Sequence, residues 1–203
     1  MYEGFGTPET AFPTWVDEMA DEYGELVKHL NDQDAERPVR KTHRLYPECY
    51  AGRESKYFFT LCARDKGTPF ADHRLADKIV ESLLWCRKRY GWILFCYCLM
   101  LDHLHLVMAA YERQDCQSNA GARGIVEKGI LEEIGEFKSY TTRIWWKHGG
   151  QGPLWQKSSY DHIFRYSESV QAAAWYVLNN PVRKGLVENW EQYPYSAIVD
   201  SWE

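Results

Sequence analysis

The 203-residue sequence contains no apolar stretch long enough to cross a bilayer. Its longest, Trp92 to Leu101, is ten residues, against the roughly 20 that a membrane-spanning helix needs. It has no Cys-x-x-Cys pair: the six cysteines are scattered at positions 49, 62, 86, 96, 98 and 116, which argues for free thiols in a reducing compartment. Met1 to Glu18 carry acids but no basic segment and no apolar core, so the start does not read as a secretory signal. Internal repeats and low-complexity tracts are missing as well. Together these absences predict a soluble, cytoplasmic chain with free thiols and no membrane partner. The chain also lacks an excess of positive charge, with a formal net charge of −5, which taken alone argues against a nucleic-acid partner.

The charge is unevenly placed. Residues 1–40 hold ten acidic and three basic side chains, a net of −7, and residues 41–203 are left with a net of +2. Nucleic-acid affinity depends on a local basic patch rather than on the whole-chain sum, so the objection weakens. The division also predicts the organisation: an acidic extension over residues 1–40 and one domain over 41–203. Trp15, Met19, Leu26 and Leu30 fall near one helical face of the extension. That face is expected to dock on the body or to cover a basic DNA groove. Hydrophobic residues make up 45% of the chain, enough for a core without disulfides. Aromatics reach 15%, with nine Trp and fourteen Tyr; most belong in that core, while exposed ones would be free to stack on unpaired bases.

Along the body, Lys56 to Arg64 is rich in β-formers and reads as a strand. Ala71 to Tyr90 reads as a helix, with Leu75, Ile79, Leu83 and Cys86 at helical spacing. Two strands follow, Trp92 to Leu101 and Leu101 to Ala109, joined by a turn near Met100 to Asp102. An expanded loop spans about Glu112 to Arg123, and a helix runs from about Ile125 to His148, closed by Gly149-Gly150. Ser158 to Arg165 reads as a short fourth strand, and a last helix from about Ser167 must stop at Asn180 because Pro181 cannot continue it. The order βαββαβα predicts an α+β fold, a ferredoxin-like antiparallel sheet with helices on one face.

Two patterns carry chemistry. In His103-Leu104-His105, the period of two along a strand sends both imidazoles to one face, where they can share a metal ion. On the last helix, Tyr176 and Asn180 are four residues apart and so lie one turn apart on one face. A phenol is a potential nucleophile, and an amide oxygen suits hard cations such as Mg²⁺ or Mn²⁺. Tyr160, in the distinctive stretch Tyr160-Asp-His-Ile-Phe-Arg165, is the competing phenol, with packing or DNA contact as its other role. Cys96 and Cys98 share a strand face; burial is the default for such thiols, with a soft metal site as the alternative.

In combination these residues resemble the REP-associated tyrosine transposases, within the HUH single-tyrosine (IS200-like) family. The resemblance covers about residues 40 to 197. It rests on Arg44-Leu45, Tyr57-Phe-Phe-Thr60, Leu99-Met-Leu-Asp-His-Leu-His105, Phe137-Lys-Ser139, Leu154-Trp-Gln156, Tyr160 to Arg165, Asn180-Pro-Val-Arg-Lys-Gly-Leu-Val187 and Tyr193-Pro-Tyr-Ser196. It implies an HUH endonuclease fold and a metal-dependent nuclease and strand transferase acting on single-stranded or hairpin DNA. His103, His105 and Asn180 would hold Mg²⁺ or Mn²⁺, and Tyr176 would form a 5′-phosphotyrosine intermediate. Arg44, Lys138, Arg143, Arg165, Arg183 and Lys184 are candidates for phosphate contact, and the chain would act as a monomer or a homodimer. A domesticated hairpin-binding protein without cleavage is the alternative. A metallohydrolase using the histidine pair, Asp102 and a water is a second one. The acidic N-terminal segment and the expanded connection after Glu112 depart from the family pattern.

Overall fold

The computed structural model describes residues 55–110, 129–165 and 168–202, all within the unit Leu45–Glu203. The expected N-terminal helix, the division at residue 40, the loop after Glu112 and Arg44 lie outside the described residues. Among the described residues, no helix is long and apolar enough to cross a membrane.

Five strands form one antiparallel sheet in the order β4-β1-β3-β2-β5. They are β1 Lys56–Cys62, β2 Ile93–Leu99, β3 His103–Ala109, β4 Tyr160–Ile163 and β5 Ser196–Ile198. The long helices are α1 His73–Tyr90 and α2 Ile130–Lys147, followed by α3 Val170–Leu178 and the single turn α4 Asn180–Arg183. The βαββαβα order and the ferredoxin-like antiparallel sheet are as expected. Residues 100–102, expected partly in strands, make the hairpin between β2 and β3, which Met100 N–H closes on the His103 carbonyl at 2.8 Å. The second long helix begins at Ile130, not near 125, because Gly129 is extended.

Local chemistry explains the helix ends. Asp72 caps α1 by accepting from Arg74 N–H at 3.0 Å, and Gly91 closes it at φ 72°, a left-handed conformation that costs glycine little. Arg87, Lys88 and Arg89 lie in its last turn, where cations complement the helix dipole. Ser169 caps α3 through Ala172 N–H. The chain breaks at Asn179, and Pro181 then sits in the first turn of α4, where its missing N–H costs nothing.

The sheet has two unlike faces. On one, Tyr57, Phe59 and Leu61 of β1 alternate into the core with Leu104, Leu106 and Met108 of β3, all fully buried. The paired helices α1 and α2 supply the apolar cover there through Leu75, Ile79, Leu83, Ile134 and Phe137. Trp155 is wedged between Phe70 and Phe137 at ring distances of 5.0 and 6.1 Å. The other face carries Phe58, Thr60, His103 and His105. Helix α3 lies on this second face against β2 and β3, so the helices are not confined to one face as the element order predicts. Its consecutive alanines, 172 to 174, are nearly fully buried, and their small side chains let the backbone approach until the Cys96 sulfur is 3.9 Å from the Ala174 carbonyl.

Strand β5 was not foreseen. It adds to the β2 edge with Cys98 opposite Ser196 and Cys96 opposite Ile198. Asp200, just beyond it, receives Arg87 Nε at 2.8 Å, a second contact from the same guanidinium, and Leu94 N–H at 2.8 Å. The bond from Arg87 holds the Asp200 carboxyl below its ordinary range against the opposing effect of burial. A depressed folded pKa stabilises at neutral pH, and that stability is lost as pH falls through the folded value. Asp200→Ala is expected to cost about 1–3 kcal/mol at pH 7, since it strands the guanidinium and an amide. Urea unfolding should show the gap from wild type narrowing toward pH 3.

Candidate metal and nucleophile site

The sheet register builds the site. His105 pairs with Thr60 of β1 and with Cys98 of β2, and Thr60 in turn pairs with Tyr160 of β4. Directly opposed residues share a face, so one row crosses the sheet from Tyr160 through Thr60 to His105. His103 lies two residues earlier on the same face, and the two imidazole Nε2 atoms are 3.0 Å apart. Two ligands held about 2.1 Å from one ion and at right angles are separated by about 3.0 Å. The pair therefore has the spacing of adjacent corners around a divalent cation.

Each ring is held from behind. His103 Nδ1 meets Asp102 Oδ1 at 2.6 Å; a carboxylate only accepts, so Nδ1 is the donor in this contact, which in the neutral ring leaves the lone pair on Nε2. His105 Nδ1 meets the Thr60 hydroxyl at 2.9 Å. The His105 side of the site is dry: the residue is 7% exposed, with the Phe58 ring 5.4 Å away. Burial pushes its pKa well below the usual histidine value, helped by His103 and then Arg183. It is a neutral imidazole at physiological pH, the form that coordinates metals.

Tyr176 reaches the pair from α3, its ring centroid 6.3 Å from that of His105 and 6.5 Å from that of Phe58. The Arg183 guanidinium lies 4.8 Å over the Tyr176 ring, close enough for a cation–π contact. Arg183 thus brings positive charge to both Tyr176 and His105. Asn180 is 6% exposed, and its side-chain nitrogen donates to the Tyr176 carbonyl at 3.0 Å. Since that partner only accepts, the amide oxygen is the end available to a cation. This bond ties Asn180 to the backbone one turn earlier, across the break at Asn179.

The remaining candidates are dispersed. Lys138 donates to the carbonyls of Gln156 and Lys157 at 2.7 and 3.1 Å, bracing a segment that itself bonds the Cys62 carbonyl at the end of β1. Arg143, on α2, lies 5.7 Å over the Tyr140 ring, in the helical layer rather than beside the histidines. Arg165 follows β4 and gives its backbone N–H to Glu168. Lys184 is exposed at the end of α4, one residue beyond Arg183.

Tyr160 is 44% exposed and touches Phe58 edge-on at 6.4 Å. Burial, then Asp161 and Glu168, raise its phenol pKa, which disfavours the phenolate a nucleophile needs. Cys96 and Cys98 are buried, and desolvation takes the Cys98 thiol up to about 12, so they remain thiols at neutral pH. Among the described residues, no group of three or more His, Cys, Asp or Glu side chains gathers to hold a metal. A cation at the histidine pair would need further oxygen ligands to complete its shell. The groove lined by Arg64, Thr68, Trp145 and Gly152 lies at the loops beyond β1; the histidines occupy the sheet face instead. Thr60 and Phe58 were missed as site residues, because their relevance depends on cross-strand register. Asp102, which the metallohydrolase alternative pairs with a water, has its carboxylate engaged with His103.

No family model matches the chain. A Haemophilus influenzae protein provisionally named a REP-associated tyrosine transposase is 24% identical over 144 residues, spanning 70% of this chain and 78% of that protein. Among solved structures, a REP-associated tyrosine transposase bound to a REP hairpin superposes with a TM-score of 0.57 at 17% identity, over 78% of this chain and 82% of that one. The chain is thus similar in sequence to the first of these proteins and shares the fold of the second.

Proposed function

We propose that this protein cleaves and rejoins single-stranded DNA at hairpin, REP-like sequences, with Tyr176 as nucleophile beside a divalent cation held by His103, His105 and Asn180. The observation that carries the reading is the convergence of two Nε2 atoms 3.0 Å apart, each ring braced through Nδ1, with the Tyr176 ring 6.3 Å from that of His105. The relatives' names supply the substrate class. Mg²⁺ or Mn²⁺ bound there would polarise the scissile phosphate and offset the charge that builds on its oxygens.

The chain's own residues do the rest. The Tyr176 oxygen attacks phosphorus in line, the bond to the 3′ oxygen breaks, and the products are a 5′-phosphotyrosine and a free 3′-OH. One phosphodiester replaces another, so the linkage is conserved for rejoining. Arg183, stacked on the Tyr176 ring, meets the incoming phosphate with positive charge and restricts the ring's motion. Phe58 and α3 keep water from the His105 side. Asp102 serves as the orienting partner of His103, which leaves it poorly placed to activate a water and disfavours the metallohydrolase alternative.

The test is incubation of the protein with end-labelled single-stranded hairpin DNA from the flanks of its own gene, with Mg²⁺ or Mn²⁺, resolved on denaturing gels. A protein–DNA adduct that disappears with chelator is expected. Tight hairpin binding with no cleavage at any metal concentration would replace this reading with the domesticated-binder one.

A further inference from the structure

We propose that Tyr160 is a stacking platform for an unpaired nucleobase beside the scissile phosphate. The inference deepens the reading above and rests on it. Tyr160 stands on the edge strand β4, in the same cross-sheet row as Thr60 and His105. With strands about 4.8 Å apart, its Cβ lies about 10 Å from that of His105, next to the catalytic position but beyond reach of the same phosphate. Phe58 is the hub of this face: its ring meets His105 at 5.4 Å, Tyr176 at 6.5 Å and Tyr160 at 6.4 Å. The 75° edge contact with Phe58 fixes how the Tyr160 ring stands, while 44% of the residue remains open to solvent.

A large aromatic left exposed on a sheet face calls for an explanation that the fold does not provide. Phe58 and Val107 on the same face are buried, so Tyr160 is where the packed aromatic surface becomes accessible. The RRM, an RNA-binding module with an antiparallel sheet of this topology, uses exposed face aromatics to stack splayed-out bases, and such stacking tolerates any base because every base has a π-face. A strand whose phosphate lies at the His103–His105 pair and which continues over Thr60 toward the β4 edge brings its neighbouring base onto Tyr160. The phenol hydroxyl is incidental to this role and the ring is essential.

The test uses full-length protein in the Tyr176→Phe background with chelator, so that cleavage cannot intervene. The probe is the hairpin oligonucleotide from the gene's own flank, carrying 2-aminopurine at one unpaired position at a time. Quenching at one position is expected, relieved by Tyr160→Ala and Tyr160→Leu with a loss in affinity of about 5- to 150-fold. Tyr160→Phe should bind within about twofold of its parent and keep the quench. Tyr160→Leu retains apolar bulk at the edge of Phe58, and matching thermal midpoints would rule out misfolding as the cause. Unchanged affinity in both ring-deleting variants, or the same loss in Tyr160→Phe, overturns the stacking role while leaving hairpin binding intact. A parent that binds no hairpin overturns both this inference and the function on which it rests.

Discussion

Tyr176→Phe is expected to abolish the covalent protein–DNA adduct and to lower strand cleavage by about 10³-fold or more, the loss typical of removing a nucleophile. The substitution deletes one oxygen and keeps the ring, so the contacts with His105, Phe58 and Arg183 should survive. Hairpin affinity and thermal stability should therefore stay close to wild type, and the gel adduct assay alone should collapse. Cleavage that persists in Tyr176→Phe would transfer the nucleophile to Tyr160 or to a metal-bound water. The raised phenol pKa of Tyr160 and the engagement of Asp102 with His103 make both of those outcomes physically costly.

His105→Ala should be the most damaging change to cation binding. It removes one of two facing Nε2 atoms and also the ring that packs on Phe58. Loss of a bracing partner typically lowers metal affinity 10- to 100-fold; loss of the ligand itself should exceed that, by about 100-fold or more. Mn²⁺ titration followed by electron paramagnetic resonance reads this directly, without DNA. Retention of full Mn²⁺ affinity would show that the cation, if any, is held elsewhere. His103→Ala should be milder for stability, because His103 is more exposed and leans on the surface carboxylate of Asp102.

Much of this architecture is legible in the sequence for simple reasons. The helical spacing in α1 is dictated by burial on one side only, while β3 is buried on both faces and reads as a nearly continuous apolar run after its histidines; both elements appear where the sequence places them. The histidine pair was readable because a period of two needs no knowledge of neighbours. What was not readable depends on partners distant in sequence. Thr60 becomes a site residue only through its register with His105, 45 positions away. Strand β5 is three residues long after Tyr193-Pro-Tyr and acquires its identity from the β2 edge. The placement of α3 on the histidine face follows from its run of small alanines, a packing signal without a helical stripe. Lys138 read as a phosphate candidate because a surface lysine carries no sign of the two carbonyls that the fold brings to it.

The Thr60 hydroxyl has a consequence for where hydrogen atoms reside. With Nδ1 of His103 donating to Asp102, the 3.0 Å approach of the two Nε2 atoms is a favourable hydrogen bond when His105 carries its hydrogen on Nε2. Its Nδ1 then accepts from Thr60. A cation between the rings requires the opposite tautomer, with Nδ1–H donating to the same oxygen. A hydroxyl serves equally as donor and acceptor, so one side chain accommodates both arrangements at a fixed 2.9 Å. Valine would accommodate neither, and a carboxylate would enforce one. The protein thus carries at Thr60 a two-way contact, through which the proposed cation would replace a neighbour's hydrogen bond at His105 without changing the charge of the ring.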